Sequence, residues 1–232
     1  MHEIDWHALY SRKTGGNLLF NEKMLEEYRR QEAPFVELVK RHAGKGARGL
    51  DAGCGLGRMA LLLSLEGYRM TALDKDARML ELAQKNVVGN GGNADFIEGD
   101  LASLPYEPDS FDFIIHPGIL EHYSEQQAKE ILHRHLSVAP LVIFSVPIEG
   151  ERTVAYFGGD TIERNIRGIS QWKRELEEFN AAEILEAKMR STNMLAAIKR
   201  QRWQCTKNAV AQTSISPSAK QNEGMLETRQ QP

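Results

Sequence analysis

The chain predicts an α/β fold: a mostly parallel sheet, helices on both faces, and an antiparallel pair to close it. Three observations predict it. An apolar run ends in the glycine-spaced turn Leu50-Asp51-Ala52-Gly53-Cys54-Gly55-Leu56-Gly57-Arg58 and passes straight into the helix-like Met59-Ala60-Leu61-Leu62-Leu63. Beyond it, short β-like runs alternate with helix-length amphipathic segments, the spacing of successive βαβ units. The last two runs, Ala182 to Ala187 and Met194 to Ile198, are joined by Lys188 to Asn193 and read as an antiparallel pair.

Taken in order, Glu22 to His42 reads as one amphipathic helix, with Met24, Leu25, Tyr28, Phe35, Leu38 and Val39 at three- and four-residue spacings and Pro34 as the point where it can split. Ala47 to Ala52 is the first strand and Arg58 to Leu65 the first helix of the core. Tyr68 to Leu73 is a strand closed by Asp74, and Asp76 caps a helix that Gly89-Asn90-Gly91-Gly92 stops near Val88. Asp95 to Glu98 is a third strand, and Phe111 to His116 a fourth. Ser124 has the character of an N-cap for a helix through Leu136, and Pro140 to Val146 is a buried strand ended by Pro147. Glu149 to Ile169, with four glycines, has the composition of a mobile lid. Ser170 to Phe179 is a further helix before the closing pair. After Trp203 the chain turns rich in Gln, Ser, Thr, Lys and Glu, so disorder is expected there. The expected organisation is therefore an N-terminal helical cover over 1–46, a core over 47–202 and a disordered tail over 203–232.

Composition bounds the function. The 232 residues, 41% hydrophobic, suffice for one full core, and no internal repeat is visible. A net charge of -3 argues against a dedicated nucleic-acid binder. Two cysteines, Cys54 and Cys205, have neither metal nor disulfide spacing, which fits a reducing cytoplasm. The opening Met1-His2-Glu3-Ile4-Asp5-Trp6 is too charged for a signal peptide, and the longest apolar stretch is well short of the roughly 20 residues a membrane span needs.

Glycines at a strand-to-helix turn let the backbone approach a ligand where a side chain would collide. The spacing is G-x-G-x-G; a dinucleotide fingerprint would place its last glycine at 58, where Arg58 stands. Asp74 follows roughly 20 residues on, where a carboxylate can accept both hydroxyls of a ribose. A third acid, Asp100, follows Phe96-Ile97-Glu98-Gly99, and Leu120-Glu121-His122-Tyr123 follows the fourth strand. In this order, from about Ala47 to about Val146, the chain resembles the class I S-adenosylmethionine-dependent methyltransferases of small-molecule type. The resemblance implies a Rossmann-like three-layer sandwich with seven strands and an antiparallel last strand. It implies S-adenosylmethionine as cofactor, S-adenosylhomocysteine as product, and a methyl acceptor atom of N, O or S on a small metabolite. It also implies that Gly53, Gly55 and Gly57 approach the methionine part, Asp51 its amino group, Asp74 the ribose, and Asp100 with Leu101 the adenine, with Cys54 and Lys75 also among the cofactor-binding residues.

An in-line methyl transfer needs placement and, for a protonated acceptor, a base. His116, at the end of the fourth strand, is expected beside the methyl position, touching cofactor and acceptor; the structural alternative is a histidine that only shapes the pocket. His122 is the second candidate, with loop orientation as its alternative role. Glu121 is expected to satisfy backbone donors ahead of the Ser124 helix. Trp6, Tyr10, Tyr156 and Phe157 are aromatics suited to packing or to facing a sulfonium. His133 and His135, two apart on a helix, are expected to be exposed and not to hold a metal. No metal site is expected. An RNA or protein methyltransferase is the first rival and would show a basic rim of Arg152, Arg164, Arg167 and the Arg200 to Lys207 cluster; a non-catalytic cofactor-binding subunit and an aminopropyl transferase are the others.

Overall fold

The computed structural model describes residues 4–158 and 162–200. The expected tail, with Arg202, Trp203, Cys205 and Lys207, lies outside the described residues. Two helices come first, α1 (Trp6–Thr14) and α2 (Glu22–His42). The core follows as β1 (Arg48–Ala52), α3 (Arg58–Leu65), β2 (Arg69–Asp74), α4 (Ala77–Gly89), β3 (Ala94–Glu98), β4 (Phe113–Pro117), α5 (Glu125–Val138), β5 (Leu141–Pro147), α6 (Glu151–Phe157), α7 (Ile169–Glu175), β6 (Asn180–Lys188) and β7 (Thr192–Lys199). The seven strands form one sheet in the order β3-β2-β1-β4-β5-β7-β6. β1 pairs in parallel with both β2 and β4, and β7 inserts antiparallel between β5 and β6.

The order of the strands decides where a ligand can sit. Strand connections leave β1 on opposite sides, toward β2 and toward β4, so the loops at the carboxyl ends of β1 and β4 part and open a crevice. Alternating side chains assign the two faces. Phe113 and Ile115 of β4 pack into the core beneath α2 and α3, whereas Leu50 of β1 and Ile114 of β4 join the core beneath α5 with Phe144 and Trp172. The caps act as the local sequence indicates: Asp76 accepts from the Arg78 N–H, and Ser124 with Gln127 completes a capping box on α5.

Four sequence expectations change. α2 runs through Pro34 unbroken, held by Phe35, Leu38 and Val39, each fully buried against the sheet. Helix α7 ends at Glu175 rather than Phe179. His135 is buried, not exposed, because α5 turns it inward, where its Nε2 lies 2.9 Å from the carbonyl oxygen of Leu101. The segment expected as a lid carries the helix α6, whose Tyr156 and Phe157 rings meet edge-on at 4.8 Å. Among the described residues no helix is long and apolar enough to cross a membrane.

Candidate functional site

The turn between β1 and α3 is tied to the end of β2. The N–H groups of Gly53 and Cys54 both donate to the Leu73 carbonyl, at 2.8 and 2.9 Å. Asp74 then holds the turn through its side chain: Oδ2 accepts from the Gly55 N–H at 2.9 Å and Oδ1 from the Asp76 N–H at 3.0 Å. The Lys75 backbone adds a third hydrogen bond, which leaves the carboxylate's roughly four acceptor sites incompletely used. Burial raises the Asp74 pKa and the backbone hydrogen bonds oppose that rise. Asp51 is buried, and its Oδ2 accepts from the Ala60 N–H at 3.0 Å near the start of α3. Desolvation pushes its pKa up to about 7.

A cavity of about 320 Å³ lies over this turn, lined by Asp51, Gly53, Cys54, Gly55, Asp74, Lys75, Asp100 and Leu101 from the core and by Trp6, Tyr10 and Tyr28 from the first two helices. Gly55 sits at φ +55°, and a Cβ there would meet nothing nearer than the Tyr10 hydroxyl at 3.9 Å, so the open space above it is available to a ligand. Asp100 caps a single 3₁₀ turn, with Oδ1 accepting from the Ala102 N–H at 2.8 Å, which presents Leu101 to the cavity. Burial raises the Cys54 thiol pKa well above its ordinary value, so this cysteine is held as a neutral thiol.

Two expected residues do not reach this cavity. Gly57 points to α4 instead: at φ +79°, a Cβ on it would stand 3.0 Å from the Cα and Cβ of Ala83, so this glycine serves helix packing. His116 lines neither cavity. Strand alternation gives it the face of Ile114, and it lies fully buried, stacked on Phe144 at 5.4 Å and edge-on to His135 at 5.1 Å. Neither ring nitrogen has a hydrogen-bond partner, and burial holds its pKa well below the ordinary range. A neutral imidazole packed under α5 thus faces neither cavity. Its neighbours Pro117 and Gly118 line the cleft instead.

A second cavity of about 130 Å³ adjoins the first and shares Trp6, Tyr10, Arg58, Gly118, His122 and Arg190 with it. His122 meets the Trp6 ring edge-on at 5.0 Å. Glu121 also lines this cavity, 3% exposed, and among the described residues its Oε2 has no hydrogen-bond partner. Desolvation raises its pKa to about 7. Sequence reasoning also missed a cluster on the wall: Arg58 Nε and Arg190 Nη2 lie 3.1 and 3.3 Å from the same oxygen, Oε1, of buried Glu32. Its sequence signal was Glu32 itself, an acid four residues after Tyr28 and three before Phe35 on the buried stripe of α2. Among the described residues no three His, Cys, Asp or Glu side chains gather to hold a metal ion.

The fold and the glycine turn define a class. Residues 50–139 match the family model described as a methyltransferase domain. It is 36% identical over 78 residues to a ubiquinone biosynthesis O-methyltransferase of Methylocella silvestris, covering 34% of this chain and 30% of that protein. It is 31% identical over 138 residues to the uncharacterized methyltransferase YodH of Bacillus subtilis, covering 56% and 58%. The chain thus spans well under two thirds of these curated relatives. The magnesium protoporphyrin IX methyltransferase from Synechocystis PCC 6803, solved with bound S-adenosylhomocysteine, shares its fold at a TM-score of 0.61 and 21% identity, covering 83% of this chain and 97% of the other.

Proposed function

We propose that this chain is a methyltransferase that takes S-adenosylmethionine in the larger cavity and a small-molecule acceptor in the smaller one. The observation that carries the reading is the paired role of Asp74, which holds the Gly55 N–H and also lines the cavity. The cavity fits the cofactor: the wall is free of a side chain at Gly55, a carboxylate stands where a ribose diol needs acceptors, and Leu101 beside capped Asp100 gives an apolar surface for a base. Asp74 and Lys75 would hold the ribose side, Asp100 and Leu101 the adenine, and Asp51, Gly53, Cys54 and Gly55 the methionine end. When bound, the cofactor supplies a methyl group already made electrophilic by a sulfonium. The chain's own task is then to place an acceptor in line, exclude water and receive a proton. His122 and Glu121 stand at the acceptor cavity and are the proposed acid–base pair; His116 is not part of it.

The acceptor cavity favours a small molecule over RNA. Two of the arginines expected on a basic rim are committed elsewhere: Arg152 donates to the Met189 carbonyl at 2.8 Å, and Arg167 is buried in an ion pair with Glu175 at 2.8 Å. The test is release of S-adenosylhomocysteine when protein and S-adenosylmethionine are incubated with fractionated cell extract. The reading expects turnover with the low-molecular-weight fraction; turnover with only the RNA or protein fraction would overturn it.

A further inference from the structure

We infer that the smaller cavity is built for a single-ring acceptor carrying an anionic group, which Arg190 receives. This inference rests on the methyltransferase reading above. Three observations carry it. The first is size: about 130 Å³ compares with the roughly 150 Å³ engineered cavity that admits benzene. The second is the wall, since the aromatic side chains Trp6, Tyr10, Tyr156 and Phe157 line that volume.

The third is charge. Arg58 and Arg190 share one buried carboxylate through its single oxygen Oε1, so the trio itself keeps one positive charge; buried Asp51 is a further acid within electrostatic reach, and it acts on Arg58. Among the described residues, Arg190 makes no hydrogen bond beyond that ion pair, although a guanidinium carries five N–H donors. A planar fork with spare donors suits a carboxylate. Lys13, Arg164 and the buried acid Glu121 line the same cavity, and among the described residues Glu121 Oε2 has no hydrogen-bond partner. The cofactor's own carboxylate is the competing source of an anion. Arg190 borders both cavities, but the ring it lies over at 5.9 Å, Tyr156, and its neighbours Met189 and Ser191 line only the smaller one. The acceptor's anion is therefore assigned to Arg190.

The test uses the full chain saturated with S-adenosylhomocysteine and two probes, 3-hydroxybenzoate and its neutral isostere 3-hydroxybenzamide, titrated by calorimetry. The acid should bind at least about tenfold more tightly than the amide, and Arg190→Gln should reduce that preference below about threefold while Arg190→Lys restores part of it. Glu32→Gln, which frees more positive charge, should strengthen the acid and leave the amide unchanged. Equal binding of both probes, or binding of neither, with S-adenosylhomocysteine still bound, overturns the inference and leaves the methyltransferase reading standing. Loss of S-adenosylhomocysteine affinity in Arg190→Gln with the acid preference intact assigns Arg190 to the cofactor and also overturns it. Failure of wild-type protein to bind S-adenosylhomocysteine strikes the cofactor reading itself.

Discussion

Gly57→Ala separates two kinds of glycine in one turn. Gly57 has φ +79°, a region that costs an L-residue about 1 to 2 kcal/mol. Its new Cβ would stand 3.0 Å from Ala83 Cα and 3.1 Å from the Ala83 carbonyl oxygen, backbone atoms that cannot swing aside, and forced overpacking of this kind adds about 1 to 3 kcal/mol. The summed loss is about 2 to 5 kcal/mol, which at a slope of about 2 kcal/mol per molar lowers the urea midpoint by about 1 to 2.5 M. Gly55→Ala meets only the backbone part of that cost, since nothing lies within 3.9 Å of its Cβ, but it places a methyl group in the cleft. Urea unfolding followed by tryptophan fluorescence, with S-adenosylhomocysteine affinity measured on folded protein, gives both readings. Gly57→Ala should lose stability and keep affinity; Gly55→Ala should lose affinity out of proportion to stability. A Gly57→Ala midpoint within about 0.3 M of wild type would refute the packing argument.

Asp74→Ala should weaken cofactor binding by roughly 1.5 to 3 kcal/mol, the scale of a charge-assisted hydrogen bond, and an unchanged calorimetric affinity would remove Asp74 from the site. Asp51 titrates at 3.8 in the unfolded reference and at about 7 when folded. Its contribution to stability is therefore complete below the lower value and lost as pH rises through the upper one. Asp51→Asn should flatten the fall in Tm between about pH 4 and pH 7, and an equally steep fall in the variant would count against this assignment. Glu121→Gln should lower turnover on an identified acceptor by about 100-fold or more with cofactor affinity unchanged; a turnover within threefold of wild type would leave His122 as the sole base. His116, held neutral when folded, takes up a proton on unfolding below its ordinary value of 6.5. His116→Phe should thus reduce the loss of stability on acidification below that pH, while turnover stays within about threefold; a large loss of turnover would return it to the site.

What the sequence revealed depended on locality. The Ser124 cap is encoded within three residues of its partner, and Asp74 within one strand–helix–strand unit, 19 residues from Gly55, and each stands where the spacing indicated. The unbroken α2 was harder to read, because the burial that carries it past Pro34 comes from strands far along the chain. His116 was misassigned from its position at the end of β4, although the alternation of Phe113, Ile114 and Ile115 already put it on the buried face. Gly57 was grouped with the cleft glycines because spacing alone does not distinguish a glycine facing a ligand from one facing Ala83. The Glu32, Arg58 and Arg190 cluster joins three segments more than 20 residues apart, so only folding brings it together.

The central claim is that the cavity over the glycine turn takes S-adenosylmethionine. Calorimetric titration of the wild-type chain with S-adenosylmethionine, S-adenosylhomocysteine and NADH in parallel tests it most directly. Micromolar binding of the first two with no heat from NADH is the predicted result. Binding of NADH alone, or of none of the three, would contradict it.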